Sequence, residues 1–339
     1  MSGAAFAPAR RLKLWAVSMV RNEADIVEAF VRHNLTVLDG MAIVDHGSVD
    51  ATLSILGQLA AERLPVVVLA SDTVGYLQEQ ITTAAARRAF AETGADFVLP
   101  LDADEFLKVS SRIELEHALR AFPPGMHGLL RWLTYVPRFD APEGDVTDLL
   151  RGSRRLRDER HIFHKAVLSR HLMATPGATL SNGNHYVAPY LRAPSEASGR
   201  HARIRDRVAA IAHVPIRSGA QLVAKVAIKK LGRIAASFDW KPDAASQAAY
   251  EAVRSGRMPD AATLRGHAVN WSVPRSEWLS PESVELVDDP FLAPIALRYT
   301  PPAAADPLPL VLAATERLVR RLVAARTGTA PARPVGAAP

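Results

Sequence analysis

The sequence predicts an α/β fold: a mostly parallel sheet flanked by helices, then a mixed-sheet second half and a helical C-terminal region. Three observations carry this. Apolar runs of strand length alternate with amphipathic helical patterns from Leu12 to Leu101, as in βαβ units joined by right-handed crossovers. Residues 66–69 are an unbroken Val-Val-Val-Leu, which suits a parallel strand covered on both faces. After Phe106 the alternation gives way to shorter, less regular segments.

Residues 12–20 (LKLWAVSMV) read as the first strand, ending at Arg21-Asn22-Glu23. A helix follows to about residue 38, with Ile26 and Phe30, and Val27 and Val31, spaced four apart. Asp39-Gly40 marks a turn and 41–44 a second strand. That strand runs into Asp45-His46-Gly47-Ser48-Val49-Asp50, with Asp50 placed to cap a helix over 51–63. The third strand starts at Pro65 and leads to a long helix over 76–93, which Gly94 should end. The fourth strand, 97–101, opens onto Asp102-Ala103-Asp104-Glu105-Phe106.

Farther on, 114–121 reads as a short helix stopped by Pro123-Pro124-Gly125, and 129–136 as a strand. Residues 140–160 are polar, with Arg151, Arg154, Arg155 and Arg157, and read as a mobile loop. Segments 161–170, 179–187 and 207–215 alternate as strands of a mixed sheet, and 218–238 reads as a Lys/Arg-rich helix. Residues 309–325 suggest a basic amphipathic helix, and from 327 the composition is that of a disordered tail.

A chain of 339 residues can bury a sizeable core. It has no cysteine, which excludes disulfides, thiolate zinc sites and a cysteine nucleophile. The formal net charge of +6 favours anionic partners: nucleotide-sugars, anionic membrane surfaces or nucleic acid. Nucleic acid fits poorly, because aromatic residues are 6% and the basic clusters at 151–157 and 225–233 lack interleaved aromatics. Residues 1–11 carry no signal-peptide apolar region. No stretch approaches the roughly 18 to 20 apolar residues of a spanning helix. The expectation is a cytoplasmic protein, with 309–325 suited to peripheral contact with the inner membrane.

Four polar clusters fall at predicted strand ends: Asn22-Glu23, Asp45 to Asp50, Asp102-Ala103-Asp104, and His213. Neighbouring parallel strands bring such ends to one edge, where open α/β sheets bind ligands. Asp102, Asp104 and Glu105 repel one another unless a cation answers them, and a divalent metal on a diphosphate would do so. Each feature also has a plainer reading: Asn22 and Asp50 as caps, Asp45 as a turn former, Asp-x-Asp as a solvated turn, His213 as a structural histidine. Their shared edge favours a site.

These segments resemble glycosyltransferase family 2, in its bacterial family-2-like branch with the GT-A (Rossmann-like) fold. The resemblance runs through Val20-Arg21-Asn22-Glu23-Ala24-Asp25, residues 44–52 and Leu101-Asp102-Ala103-Asp104-Glu105-Phe106, in order and spacing over 12–107. A looser match continues at 211–218 and Lys225. It implies a GT-A-like domain over 12–240, with a nucleotide-binding half (12–107) and an acceptor half (108–240). Residues 1–11 would be a flexible N-terminus, 241–326 a helical extension and 327–339 the tail.

By the same resemblance, Asn22, Glu23, Asp45, Ser48, Asp50 and Asp102 belong to the nucleotide site. Asp45 would meet the base, and Asp102 the ribose or a metal-bound water. Asp102, Asp104 and His213 would hold Mn²⁺ or Mg²⁺, with His185 a second candidate for the histidine's place. Arg217 and Lys225 are candidate phosphate contacts, a solvated basic helix face being the simpler reading. The implied reaction is inverting transfer from a UDP- or GDP-sugar to a hydroxyl of a glycan or glycolipid, in bacterial surface-polysaccharide or glycolipid synthesis.

Inversion asks for a carboxylate base beside the acceptor hydroxyl. Glu143 and Asp145 are the candidates; the adjacent pair Asp158-Glu159 sits among arginines and reads as solvated ion pairs. Two other enzyme classes fit less well. A haloacid-dehalogenase-type phosphatase would carry Asp-x-Asp on its first strand, and a nucleotidyltransferase would show a Gly-rich basic loop there. From another class, a non-catalytic GT-A-like nucleotide- or glycan-binding scaffold is the alternative.

Overall fold

The computed structural model describes residues 10–71, 73, 75, 77–140, 145–188, 201–235, 244–301 and 306–327. β1 (Leu14–Val20), α1 (Val27–Asn34), β2 (Gly40–Asp45), α2 (Thr52–Ala61), β3 (Val66–Ala70), α3 (Gln78–Thr93) and β4 (Phe97–Pro100) alternate as expected. The four strands are parallel in the order β3-β2-β1-β4. Their C-terminal ends therefore open on one edge. β1 feeds two buried clusters in alternation: Leu14, Ala16 and Val20 on one face, Trp15 and Val17 on the other.

β3 corrects one expectation. Its all-apolar run is the outer strand of the sheet, not a doubly covered one, and Val67 is 38% exposed. Gly94, at φ 70°, ends α3 in the left-handed conformation expected of it. Asp50 bonds the amide of Thr52 at the start of α2, and its other oxygen holds the amide of Ala24. It thus joins the first two strand-end loops.

The second half comprises β5 (Glu105–Val109), α4 (Arg112–Arg120), β6 (His127–Val136), α5 (Val146–Gly152), β7 (Arg154–Leu156) and β8 (His164–Ser169). Next come α6 (His171–Ala174), β9 (Thr179–Leu180), β10 (Val187–Ala188), β11 (His201–Arg203) and β12 (Ala209–His213). The chain then runs through α7 (Gly219–Ala235), α8 (Ala244–Arg254), α9 (Ala261–Val269), β13 (Leu286–Val287) and α10 (Pro307–Thr327). β8 pairs antiparallel with β4 and β6; β12 lies parallel to β6 and antiparallel to β5. Eleven of the described strands make one sheet, parallel first and mixed after, with helices against it; β9 and β10 pair apart from it. This is the α/β architecture expected, a parallel half followed by a mixed half.

Residues 140–160 are not one loop, since α5 and β7 lie within them. β7 owes its existence to partners, β6 on one side and β13 on the other, which local sequence does not reveal. β5 was hidden because it starts on a carboxylate, Glu105. Segment 179–187 is a β9–β10 hairpin around a short turn at Asn182–Asn184 rather than one strand.

The described residues from 244 on are closely joined to what precedes them. Phe291, Leu292, Ile295 and Leu297 pack on the main core cluster. The buried carboxylate of Glu28 accepts from the amides of Arg298, Tyr299 and Thr300. α10 lies on α7 through Ala314 against Ala224 and Ile228. No described helix is long and apolar enough to cross a membrane.

Candidate active site

A cavity of about 470 Å³ lies at the strand-end edge, within the roughly 300–1,000 Å³ usual for small-molecule sites. Its floor is Asp102 and Asp104, and one wall carries Lys225, Lys229 and Arg233, spaced four apart along α7. Asp102 Oδ2 accepts from Lys165 Nζ (2.7 Å) and Oδ1 from Gln78 Nε2 (2.9 Å). Lys165 also reaches Glu105 at 2.9 Å, and its side chain is 2% exposed. Burial disfavours that ammonium, yet Asp102 and Glu105 together raise its pKa.

Asp104 meets His213 because β5 and β12 pair Glu105 with His213. His213 Nε2 stands 3.8 Å from Asp104 Oδ2, and Lys225 Nζ donates to the same oxygen at 2.7 Å. Although burial opposes it, Lys225 and then His213 hold Asp104 well below the usual carboxylate range. Burial pushes His213 down, towards the neutral imidazole that can ligate a metal.

Asn22 and Glu23 line the cavity. Asn22 sits at φ 56°, a left-handed conformation that Asn tolerates. Its Oδ1 accepts from the amide of Val49, and its own amide donates to Ser48 Oγ. Glu23 is paired with Arg217 at 2.5 Å, and Arg217 also forks onto Asp25 at 2.6 and 2.9 Å. Burial pushes Glu23 up to about 7 against the pull of Arg217. Arg217 is thus neither a phosphate contact nor a solvated side chain; it is a buried counter-ion for two carboxylates.

Asp45 and Ser48 stand away from the cavity, whereas Asp50 borders it. The Asp45 carboxylate accepts from the amides of Gly47 and Ser48 at 3.1 and 3.2 Å. α10 covers this loop: Arg317 donates to the Ser48 carbonyl (3.1 Å) and Arg321 to that of Ser71 (3.3 Å). A side chain added at Gly47, itself at φ 81°, would lie 3.1 Å from the Arg321 guanidinium. Burial, with Arg321 and Arg317, pushes Arg21 on the cavity wall down to about 10. Asp45 itself is buried, with its carboxylate turned onto its own loop.

Asp145 is corrected by its place. It is the N-cap of α5, where its side chain accepts from the amides of Thr147 (2.7 Å) and Asp148 (3.1 Å) and from the Thr147 hydroxyl. It does not border the cavity. Glu143 lies outside the described residues. His185 does border the cavity, its Nδ1 bonded to the His164 carbonyl.

Several cavity residues escaped the sequence reading. Lys165 is a lone cation in the apolar strand β8, a placement that signals a buried partner. Trp132 and Trp271 line the cavity, with the Trp132 ring centroid 4.0 Å from that of His213. Lys225 Nζ stands 5.8 Å from the Trp271 ring. Single tryptophans far apart in sequence gave no signal of this convergence.

Among the described residues no three His, Asp or Glu are grouped as a ready metal site. Asp104 and His213 supply two donors, and ligands about 2.1 Å from one ion stand roughly 3 to 4 Å apart, which their spacing matches. Such ions commonly complete their shell with substrate phosphates and water. The pair therefore fits a divalent ion, with Lys225 giving up the shared oxygen.

No family model and no curated protein matches the chain. Among solved structures it is similar to TarS of S. aureus, at 11% identity and TM-score 0.35, covering 78% of this chain and 44% of that one. A mannosyltransferase, PcManGT from Pyrobaculum calidifontis, in complex with GDP-Man and Mn²⁺, gives 16% identity and TM-score 0.37 over 96% and 78% of the two chains. Glucosyl-3-phosphoglycerate synthase from Mycobacterium tuberculosis, in complex with Mn²⁺, UDP and glucosyl-3-phosphoglycerate, gives 18% and 0.25 over 36% and 43%. The chain spans less than half of the TarS structure. Likenesses this distant lend no weight to the reading below, which rests on the residues.

Proposed function

We propose that this protein is a glycosyltransferase that moves a sugar, with inversion, from a UDP- or GDP-sugar to an acceptor hydroxyl. The observation that carries the reading is the Asp104–His213 pair, 3.8 Å apart on the strand-end edge, with Lys225 bonded to the same Asp104 oxygen. Carboxylate and imidazole donors facing a wall of ammonium and guanidinium groups suit a metal-bound diphosphate. Asp104 and His213 would hold Mn²⁺ or Mg²⁺. Asp102, with both oxygens already bonded, suits the ribose or a metal-bound water.

When bound, the ion supplies neutralisation of the charge that gathers on the diphosphate as the sugar leaves. With an ion on Asp104, Lys225 would be free to hold the phosphates, with Lys229 and Arg233 farther along α7. Asn22 and Asp50 shape the donor side. A panel of UDP- and GDP-hexoses tests this: at least one should release its nucleotide in the presence of Mn²⁺. No release and no nucleotide binding would contradict it.

The acceptor would be a glycan or glycolipid, in surface-polysaccharide or glycolipid synthesis. α10 supports a lipid surface nearby. Leu308, Leu312, Val319 and Val323, 64, 56, 52 and 52% exposed, fall on its outer face, flanked by Arg320 and Arg326. Arg320 and Arg326 beside this aliphatic stripe outweigh the exposed Glu316, which suits an anionic bilayer. The full chain should float with phosphatidylglycerol-containing vesicles and far less with pure phosphatidylcholine. Leu312→Glu with Val319→Glu should lower that binding at least about tenfold. Binding indifferent to the lipid charge or to the variant would contradict the bilayer as partner.

A further inference from the structure

Trp132 and Trp271 border the cavity beside Asp104, and both also border a second pocket of about 30 Å³. That is room for one water or hydroxyl group, not for a sugar ring. Thr134 lies two residues beyond Trp132 on β6, so both side chains project from one face. Thr134 is in register with His213 across β12, one strand spacing away, about 5 Å.

Glu159 is fixed on Thr134 in this pocket. One oxygen accepts from the Thr134 amide at 2.6 Å, and the other accepts from the Thr134 hydroxyl at 3.2 Å. Each oxygen keeps a further lone pair. The surrounding arginines are engaged elsewhere: Arg155 with Asp289, Arg157 with Glu285, Arg160 with Asn270. Glu159 makes no ion pair among the described residues, and Asp158 beside it is exposed. A solvated ion pair forms at Arg157 with Glu285, not at Glu159.

We propose that Glu159 is the base of the transfer, taking the proton of an acceptor hydroxyl that enters this pocket while the body of the acceptor lies against Trp132 and Trp271. The assignment rests on the glycosyltransferase reading above. The acceptor oxygen forms the new bond to the anomeric carbon. The bond from that carbon to the phosphate oxygen breaks, its electron pair leaving with the nucleoside diphosphate, and the hydroxyl proton passes to Glu159. Burial pushes Glu159 up, against its bonds to Thr134 and against Arg131 on β6 and Arg155 on β7. From its own segment Asp158, Arg160 and His161 stand nearby. A carboxylate raised in this way is a stronger base at neutral pH.

The test uses the full chain, Mn²⁺ and a panel of UDP- and GDP-hexoses, with water as acceptor and nucleotide release as the readout. Glu159→Gln can keep the bond from the Thr134 amide and donate its own NH2 to the Thr134 hydroxyl, and it should lower kcat at least about 100-fold. UDP or GDP affinity should stay within about twofold. Glu159→Asp should recover part of the rate, and Asp158→Asn should stay within about twofold of the parent. The acid limb of the parent's pH–rate profile should lie above the ordinary glutamate value. Turnover that survives Glu159→Gln, a parallel loss of nucleotide affinity, or a loss that follows Asp158 instead would overturn the base alone. Nucleotide binding by the parent without release from any donor would also overturn it. A parent that binds neither nucleotide would overturn the glycosyltransferase reading and the base with it.

Discussion

Asp104→Ala is expected to weaken metal-dependent UDP or GDP binding at least about 100-fold, roughly 2.7 kcal/mol. The side chain is one of two donors facing the same point, and its loss leaves His213 alone there. It also releases Lys225, whose ammonium is bonded to the departing oxygen. Freed of its partner, Lys225 still attracts phosphate, so residual binding should be insensitive to Mn²⁺ and weaken with salt. Asp104→Asn separates the two effects: it keeps a hydrogen-bond acceptor for Lys225 and removes the charge that an ion needs. Calorimetric titration with and without Mn²⁺ reads both variants.

The second large effect is on stability. Lys165→Met should cost about 3–5 kcal/mol, because it leaves carboxylates beside it without a counter-ion. Glu105 is fully buried and Asp102 partly so, and Lys165 bridges them. The sign with pH follows from the carboxylate left behind. Without the ammonium, the folded-state pKa of Glu105 rises farther above its unfolded value. The variant therefore loses stability as pH rises from the ordinary glutamate value through the raised folded one, and recovers it in acid. Urea unfolding across that range reads the slope, and adding Glu105→Gln should return part of the loss at neutral pH.

The parallel half of the fold was legible because its signals are local. Apolar runs and helical spacing place β1 to β4, and Gly94 marks the end of α3 by its backbone freedom alone. Legibility fell where an element depends on a distant partner. β5 begins with a carboxylate that becomes acceptable only once Lys165 arrives from β8, and β7 forms because β6 and β13 flank it.

The site divides in the same way. That Asp102, Asp104 and His213 share one edge was readable, since each stands at a strand end, and all three line the cavity. Arg217 was not, because its carboxylates come from the loop after β1, almost two hundred residues earlier in the chain. Asp145 looked free and is a helix cap, whereas Glu159 looked solvated among arginines and is bonded to Thr134. Charge counted along the sequence says little about which carboxylate keeps a lone pair to spare. The cover that α10 lays over the loop at Gly47 and Ser48 was equally hidden, since Arg317 and Arg321 read only as the basic face of a terminal helix.

The most direct measurement is calorimetric titration of the full chain with UDP and with GDP, in Mn²⁺ and in chelator. Metal-dependent binding of at least one nucleotide, weaker by about tenfold or more in chelator, is the predicted result. Binding of neither nucleotide, or binding equally tight without metal, would contradict the Asp104–His213 site.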